Sequence, residues 1–347
     1  MTVYDFFVKR ALDQYFYDLY WKSSFILVGT PSGVTLSPEG AQHGWKSDFQ
    51  IPNQITWEPF YCVELDWIMA DAIHRHLTYT NEGRTGVLIR GVTKGIDQKQ
   101  FLKLLKTQAR FKSEPVDNLC HKDFMLDGGV SEDQIACVSD EQILGEIQQD
   151  VLKGAYFLIN YKNYKGYIPG ENVIHIFAMG ALVDEAIKAS EKLLQEGIYA
   201  NVVSVTSPDL LIGNLAQEND YEYLKHDLGV SDKLHITSED FSNIADMVSI
   251  SGRRVPIVST HDGEPGLLDN IGSIVGVKHE ALAVRKHSKC GRPADVYKYH
   301  GIDQDGIVSA AKKVLAETAL EGINVSSYLL AQAAEKPSSI GSWKDLV

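Results

Sequence analysis

The apolar run Phe25-Ile26-Leu27-Val28-Gly29, with the loop it feeds, constrains this chain more than any other feature. A short unbroken apolar run bounded by polar residues reads as a strand buried on both faces, the kind that parallel sheets use. The loop Ser32-Gly33-Val34-Thr35-Leu36-Ser37-Pro38-Glu39-Gly40-Ala41-Gln42-His43 turns on Gly33 and Pro38 and delivers a histidine. Open α/β sheets bind ligands beyond the carboxyl ends of their strands, where such loops sit. A histidine there can serve as acid, base or oxyanion donor near neutral pH; the alternative is a surface histidine in an ordinary loop.

The rest of the chain repeats the alternation of strand and helix. Apolar residues spaced by three and four between Tyr4 and Tyr20 predict a helix over 3–22 with one buried aromatic stripe. Pro52 to Trp57 reads as a short strand. Pro59 opens a helix over 59–77 with Cys62, Leu65, Ile68, Met69 and Ile73 facing inward. Another strand covers 85–90, so the first unit holds about three strands, few for a doubly wound sheet. Residues 112–153 are polar, include Asp127-Gly128-Gly129, and read as a linker or excursion with one helix near Asp140–Leu152. A second unit starts near 155. In it, strand 172–178, the turn at Gly180, helix 181–196 and strand 200–205 form a βαβ unit. Strands 255–259 and 280–284 and helices 303–318 and 323–334 complete the expectation. The fold class is therefore α/β. The expected domains are 1–112 and 155–335, joined by 113–154 and followed by a tail, 336–347.

A chain of 347 residues has room for two such domains. A net charge of −13 argues against a nucleic-acid partner, which needs a basic face. No apolar run approaches the ~20 residues that span a bilayer. Acids at Asp5, Asp13 and Asp18 do not suit a signal or transit peptide. Cys62, Cys120, Cys137 and Cys290 show no CxxC spacing, which disfavours zinc and redox pairs and suits free thiols in a reducing compartment such as the cytoplasm.

Familiar chemistry motifs are missing: GxGxxG, the phosphate-binding GxxxxGK[ST] and the GxSxG nucleophile elbow. His74 and His76 are two apart and point to different faces of a helix. The turn Phe177-Ala178-Met179-Gly180-Ala181 could offer amides to an anion, but its single glycine suits close helix packing better. His261-Asp262-Gly263-Glu264 could hold a cation or, more simply, form a solvated turn.

Several segments, taken in order, resemble one family. The strand with Glu39-Gly40-Ala41-Gln42-His43 is similar to the strand-plus-EGxxH motif of the homodimeric pyruvate dehydrogenase decarboxylase component and its transketolase relatives. Arg90-Gly91-Val92-Thr93-Lys94-Gly95-Ile96-Asp97-Gln98 resembles the family's RxxTRPIDQ strand end, with Lys94 where arginine is common and Gly95 where proline is. Val202 to Leu211, Lys286 to Gly291 and Asp295 to Asp303 resemble segments of the family's carboxy-terminal domain. The likeness runs from about residue 23 to 318.

The resemblance implies an incomplete pyrimidine-type thiamine-enzyme domain followed by a transketolase carboxy-terminal domain. It implies a catalytic role for His43 at the oxygen of the reacting carbon, and substrate-anion contacts for Arg90 and Lys94. Thiamine diphosphate and Mg²⁺ are the implied cofactors, acting on a 2-oxo acid or transferring a two-carbon unit. The sequence contains no GDG metal motif. The chain is therefore expected to be either one subunit of a split enzyme, completed by a partner chain that carries the diphosphate-binding domain, or a truncated form of a longer one. The expected partners are a homo-oligomer or that partner chain, and the acyltransferase component of a 2-oxo acid dehydrogenase complex. The isolated chain is expected to bind no cofactor. A non-catalytic assembly or regulatory subunit that keeps the fold is the alternative.

Overall fold

A computed structural model describes residues 2–3, 8–30, 32–34, 51–78, 86–92, 94–114, 137–228, 230, 254–289 and 291–334, with side chains as far as 320. His43, Cys120, Cys290 and the Asp127-Gly128-Gly129 segment lie outside the described residues.

The first unit contains β1 (Thr2–Val3), α1 (Leu12–Tyr20), β2 (Phe25–Gly29), β3 (Gln54–Trp57), α2 (Cys62–Leu77), β4 (Gly86–Arg90) and α3 (Gln100–Lys106). Its strands form a four-stranded, wholly parallel sheet in the order β1-β2-β4-β3. That is one strand more than expected. Thr2 and Val3 pair with Val28 and Gly29, so the helix expected from residue 3 is regular only from Leu12, after a 3₁₀ turn at Lys9–Ala11. The β-branched residues Thr2 and Val3 suit a strand better than a helix.

Helix α2 turns a different face inward from the one expected. Glu64, Ile68 and Ala72 are its buried residues, while Cys62, Leu65 and Ile73 are exposed. The apolar spacing misled because a glutamate, Glu64, holds an inward position in the first turn, where its carboxylate collects hydrogen bonds.

The second unit contains α4 (Asp140–Leu152), β5 (Ala155–Ile159), β6 (Val173–Met179), α5 (Val183–Gln195), β7 (Tyr199–Val205), α6 (Pro208–Leu211) and α7 (Asn214–Gln217). It continues with β8 (Ile257–Thr260), α8 (Ile271–Val275), β9 (His279–Leu282), α9 (Pro293–His300) and α10 (Gln304–Ala334). Its sheet runs β5-β7-β6-β8-β9. β5 lies antiparallel against β7 and the other pairs are parallel. The two helices expected at 303–318 and 323–334 are one helix. No proline interrupts that stretch, and a lone interior glycine such as Gly322 costs only about 1 kcal/mol.

One apolar core joins the two sheets. Ile55, Trp57 and Ile68 from the first pack in a single cluster with Tyr156, Ile174 and Val202 from the second. Among the described residues, no helix is long and apolar enough to cross a membrane.

Candidate functional site

The carboxyl ends of the two sheets abut, and the loops leaving them interlock. Beyond β3, the Glu58 backbone N–H donates to the Thr206 carbonyl just beyond β7, at 2.9 Å. Within β3, the Thr56 N–H donates to Asp209 Oδ2 on α6, at 2.7 Å. Beyond β2, the Val34 N–H lies 3.3 Å from Asp262 Oδ2, two residues past β8. Beyond β4, Lys94 Nζ sits 2.6 Å from Asp184 Oδ2 and 3.7 Å from Glu185 Oε1, both on α5.

Buried polar side chains fill this junction. Ser32, Glu58, Arg90, Asp209, His261 and Asp262 are each at most 2% exposed. Such groups are held inside only with partners, because an unpaired buried charge is expensive. Ser32 Oγ donates to Glu58 Oε1 at 3.2 Å. The Gly263 N–H donates to His261 Nδ1 at 3.1 Å. The segment His261 to Glu264 is therefore buried and not a solvated turn. Its glycine neighbours are tightly fitted: a Cβ on Gly33 would stand 1.8 Å from Asp262 Oδ2, and one on Gly180 would stand 2.2 Å from Glu58 Oε1. Gly180 has φ +58, so its turn serves close packing, as its single glycine suggested.

A second knot of polar groups lies deeper. Glu64 is fully buried at the start of α2. Its Oε2 accepts the N–H groups of Phe60 and Tyr61 at 2.5 and 2.8 Å. Its Oε1 accepts the Tyr156 hydroxyl from β5 and, at 3.5 Å, the Ser204 hydroxyl from β7. Burial pushes the Glu64 pKa up, and these four donors pull against it. Burial, reinforced by the Glu64 charge, holds the Tyr61 and Tyr156 phenols protonated far above neutral pH.

The expected site residues fall as follows. Arg90 ends β4 and is buried at the junction. Lys94 is in the same region, but its ammonium is engaged by Asp184 and stands 5.6 Å from the Tyr297 ring centroid. Burial raises the Asp184 carboxyl, while hydrogen bonds from Lys94 and Lys188 outweigh that and bring it below its ordinary value. His43 is outside the described residues. The sequence reading missed Glu58, Glu64 and Asp209. The available signal was an acid within an apolar stretch, as in Phe60-Tyr61-Cys62-Val63-Glu64-Leu65.

Residues 154–303 match the family model described as Transketolase-like TK C-terminal domain. Most of the chain is similar in fold to transketolases. Pichia stipitis transketolase in complex with sedoheptulose-7-phosphate matches over 91% of this chain and 33% of its own, with TM-score 0.54 and 15% identity. The Leishmania mexicana enzyme matches over 91% and 34%, with TM-score 0.55 and 14% identity. The Campylobacter jejuni enzyme matches over 89% and 34%, with TM-score 0.52 and 14% identity. The chain thus spans about a third of the length of these transketolases. No curated protein matches the chain.

Among the described residues, no group of three or more His, Cys, Asp or Glu side chains is placed to hold a metal ion.

Proposed function

We propose that this chain is part of a thiamine diphosphate-dependent enzyme of the pyruvate dehydrogenase or transketolase type. It supplies the pyrimidine-side and carboxy-terminal domains, and a diphosphate-binding domain outside these 347 residues completes the site. The observation that carries this reading is the match of residues 154–303 to a transketolase-like C-terminal domain, docked on a parallel sheet whose strand-end segments resemble the same family in order. The completed enzyme decarboxylates a 2-oxo acid or transfers a two-carbon unit. The hard step belongs to the cofactor, and the protein binds, orients and moves protons.

His43 is the proposed proton donor or oxyanion partner at the reacting carbon, with Arg90 and Lys94 on the substrate anion. Losing such a donor costs about 10²–10³-fold in rate. In the enzyme reconstituted with a diphosphate-domain partner, His43→Ala should lower turnover by that factor. Unchanged turnover would remove His43 from the site.

One observation favours the second reading, a non-catalytic assembly subunit. The Lys94 ammonium, proposed to face substrate, is already neutralised by Asp184 and Glu185. Lys94→Gln separates the two. A raised KM in the reconstituted enzyme supports substrate contact, whereas a lowered melting temperature with unchanged kinetics supports assembly.

A further inference from the structure

Between Arg285 and His300 the chain places five basic residues, Arg285, Lys286, Lys289, Arg292 and Lys298, against one acid, Asp295, in a protein of net charge −13. Lys286 and Lys289 are exposed and lie in the loop between β9 and α9, at the carboxyl edge of the second sheet. Loops at this edge are where open α/β sheets bind ligands.

Both ammoniums gather at one aromatic ring. Lys286 Nζ is 3.7 Å and Lys289 Nζ 4.5 Å from the Tyr299 centroid. The two charges are therefore no farther apart than those distances laid end to end. Among the described residues, neither lysine has an ion-pair partner. Lysines elsewhere in this unit do meet acids: Lys188 with Asp184, Lys192 with Asp305, Lys312 with Glu196 and Lys313 with Glu280. Cation–π attraction holds each ammonium at the ring, while their mutual repulsion goes unanswered.

The groups next to the ring are polar. His300 Nε2 lies 3.0 Å from the Oγ of buried Ser288. Its Nδ1 is buried with no hydrogen-bond partner among the described residues. Burial, helped by Lys286 and opposed by Asp262, lowers the His300 pKa, so the ring is neutral at pH 7 and adds no third charge.

We propose that Lys286, Lys289, Tyr299 and His300 form a binding site for a compact phosphate-bearing anion, such as the phosphomonoester or diphosphate group of a small molecule. Two point charges gathered at one ring suit a single small polyvalent anion, for which lysine is a common partner. An extended polyanion is disfavoured, because the strongly negative protein around this loop repels it.

The test titrates the full chain with inorganic phosphate, pyrophosphate and hexaglutamate at constant ionic strength. Saturable binding of phosphate or pyrophosphate is expected, the tighter of the two showing which phosphate group the site prefers. Lys286→Gln and Lys289→Gln should each weaken binding about tenfold, the worth of one charged hydrogen bond. The exposed control Lys99→Gln should leave it unchanged. Unaltered affinity in the double variant, no saturable uptake of either phosphate probe, or tighter binding of hexaglutamate would each overturn the site. Both lysines are exposed, so the variants should fold, and matching melting curves verify this.

Discussion

Glu64 of α2 accepts the Tyr156 hydroxyl of β5, and this hydrogen bond ties a helix of the first unit to the sheet of the second beside their shared core. It is one of four donors converging on a single buried carboxylate. Removing the carboxylate leaves several donors unsatisfied, whereas removing Tyr156's hydroxyl leaves Glu64 three partners. Glu64→Ala should therefore cost about 3–5 kcal/mol and Tyr156→Phe about 1–2 kcal/mol. Urea unfolding of both variants checks the ordering, and equal losses would contradict it.

The same residue sets a pH dependence. Burial raises the Glu64 pKa above its ordinary 4.5. The folded chain then holds a proton that the unfolded chain has released, so stability falls as pH rises through the window above 4.5. Glu64→Gln carries no such proton and should show a flatter stability profile across that window. Parallel profiles for parent and variant would show that the four donors keep Glu64 ionised.

Gly180 and Gly276 make a controlled pair. Both have positive φ, +58 and +76, but a Cβ on Gly180 would strike Glu58 and one on Gly276 would meet nothing within 4 Å. Gly276→Ala should cost about 1–2 kcal/mol, the strain of a left-handed alanine. Gly180→Ala should cost clearly more, because the sheets must separate locally. Thermal or urea denaturation of the two variants measures the difference, and equal losses would mean that Glu58 yields without cost.

These particulars show what was legible in sequence. Buried strands announce themselves through unbroken apolar runs, so β2 (Phe25–Gly29) coincides with the expected 25–29, and β6 (Val173–Met179) and β7 (Tyr199–Val205) lie close to the expected 172–178 and 200–205. The antiparallel direction of β5 was not legible, because an apolar pentapeptide carries no sign of which way its neighbour runs. Neither was the inward face of α2, because Glu64 interrupts the apolar stripe at the position where its partners arrive from residues 92 and 140 positions away. Junction residues such as Asp209 and Asp262 look like ordinary turn acids until the fold brings backbone N–H groups from the other sheet to them.

Helix α1 exposes Phe16, Tyr17 and Tyr20, and Trp21 follows at 63% exposure, its ring 5.7 Å from that of Tyr20 and 6.1 Å from that of Tyr17. Clustered apolar surface of this kind marks an interface. Sedimentation at micromolar concentration should show an oligomer, and Trp21→Glu with Tyr20→Lys should shift it toward monomer. A parent chain that sediments as a stable monomer would remove the interface.

Cofactor binding by calorimetry, with Mg²⁺ present throughout, tests the proposed function most directly. The isolated chain should show no micromolar affinity for thiamine diphosphate. Such affinity should emerge only when a second polypeptide supplies a GDG-containing diphosphate domain. Micromolar, Mg²⁺-dependent binding by the isolated chain, retained in the Lys286→Gln, Lys289→Gln double variant, would contradict the account.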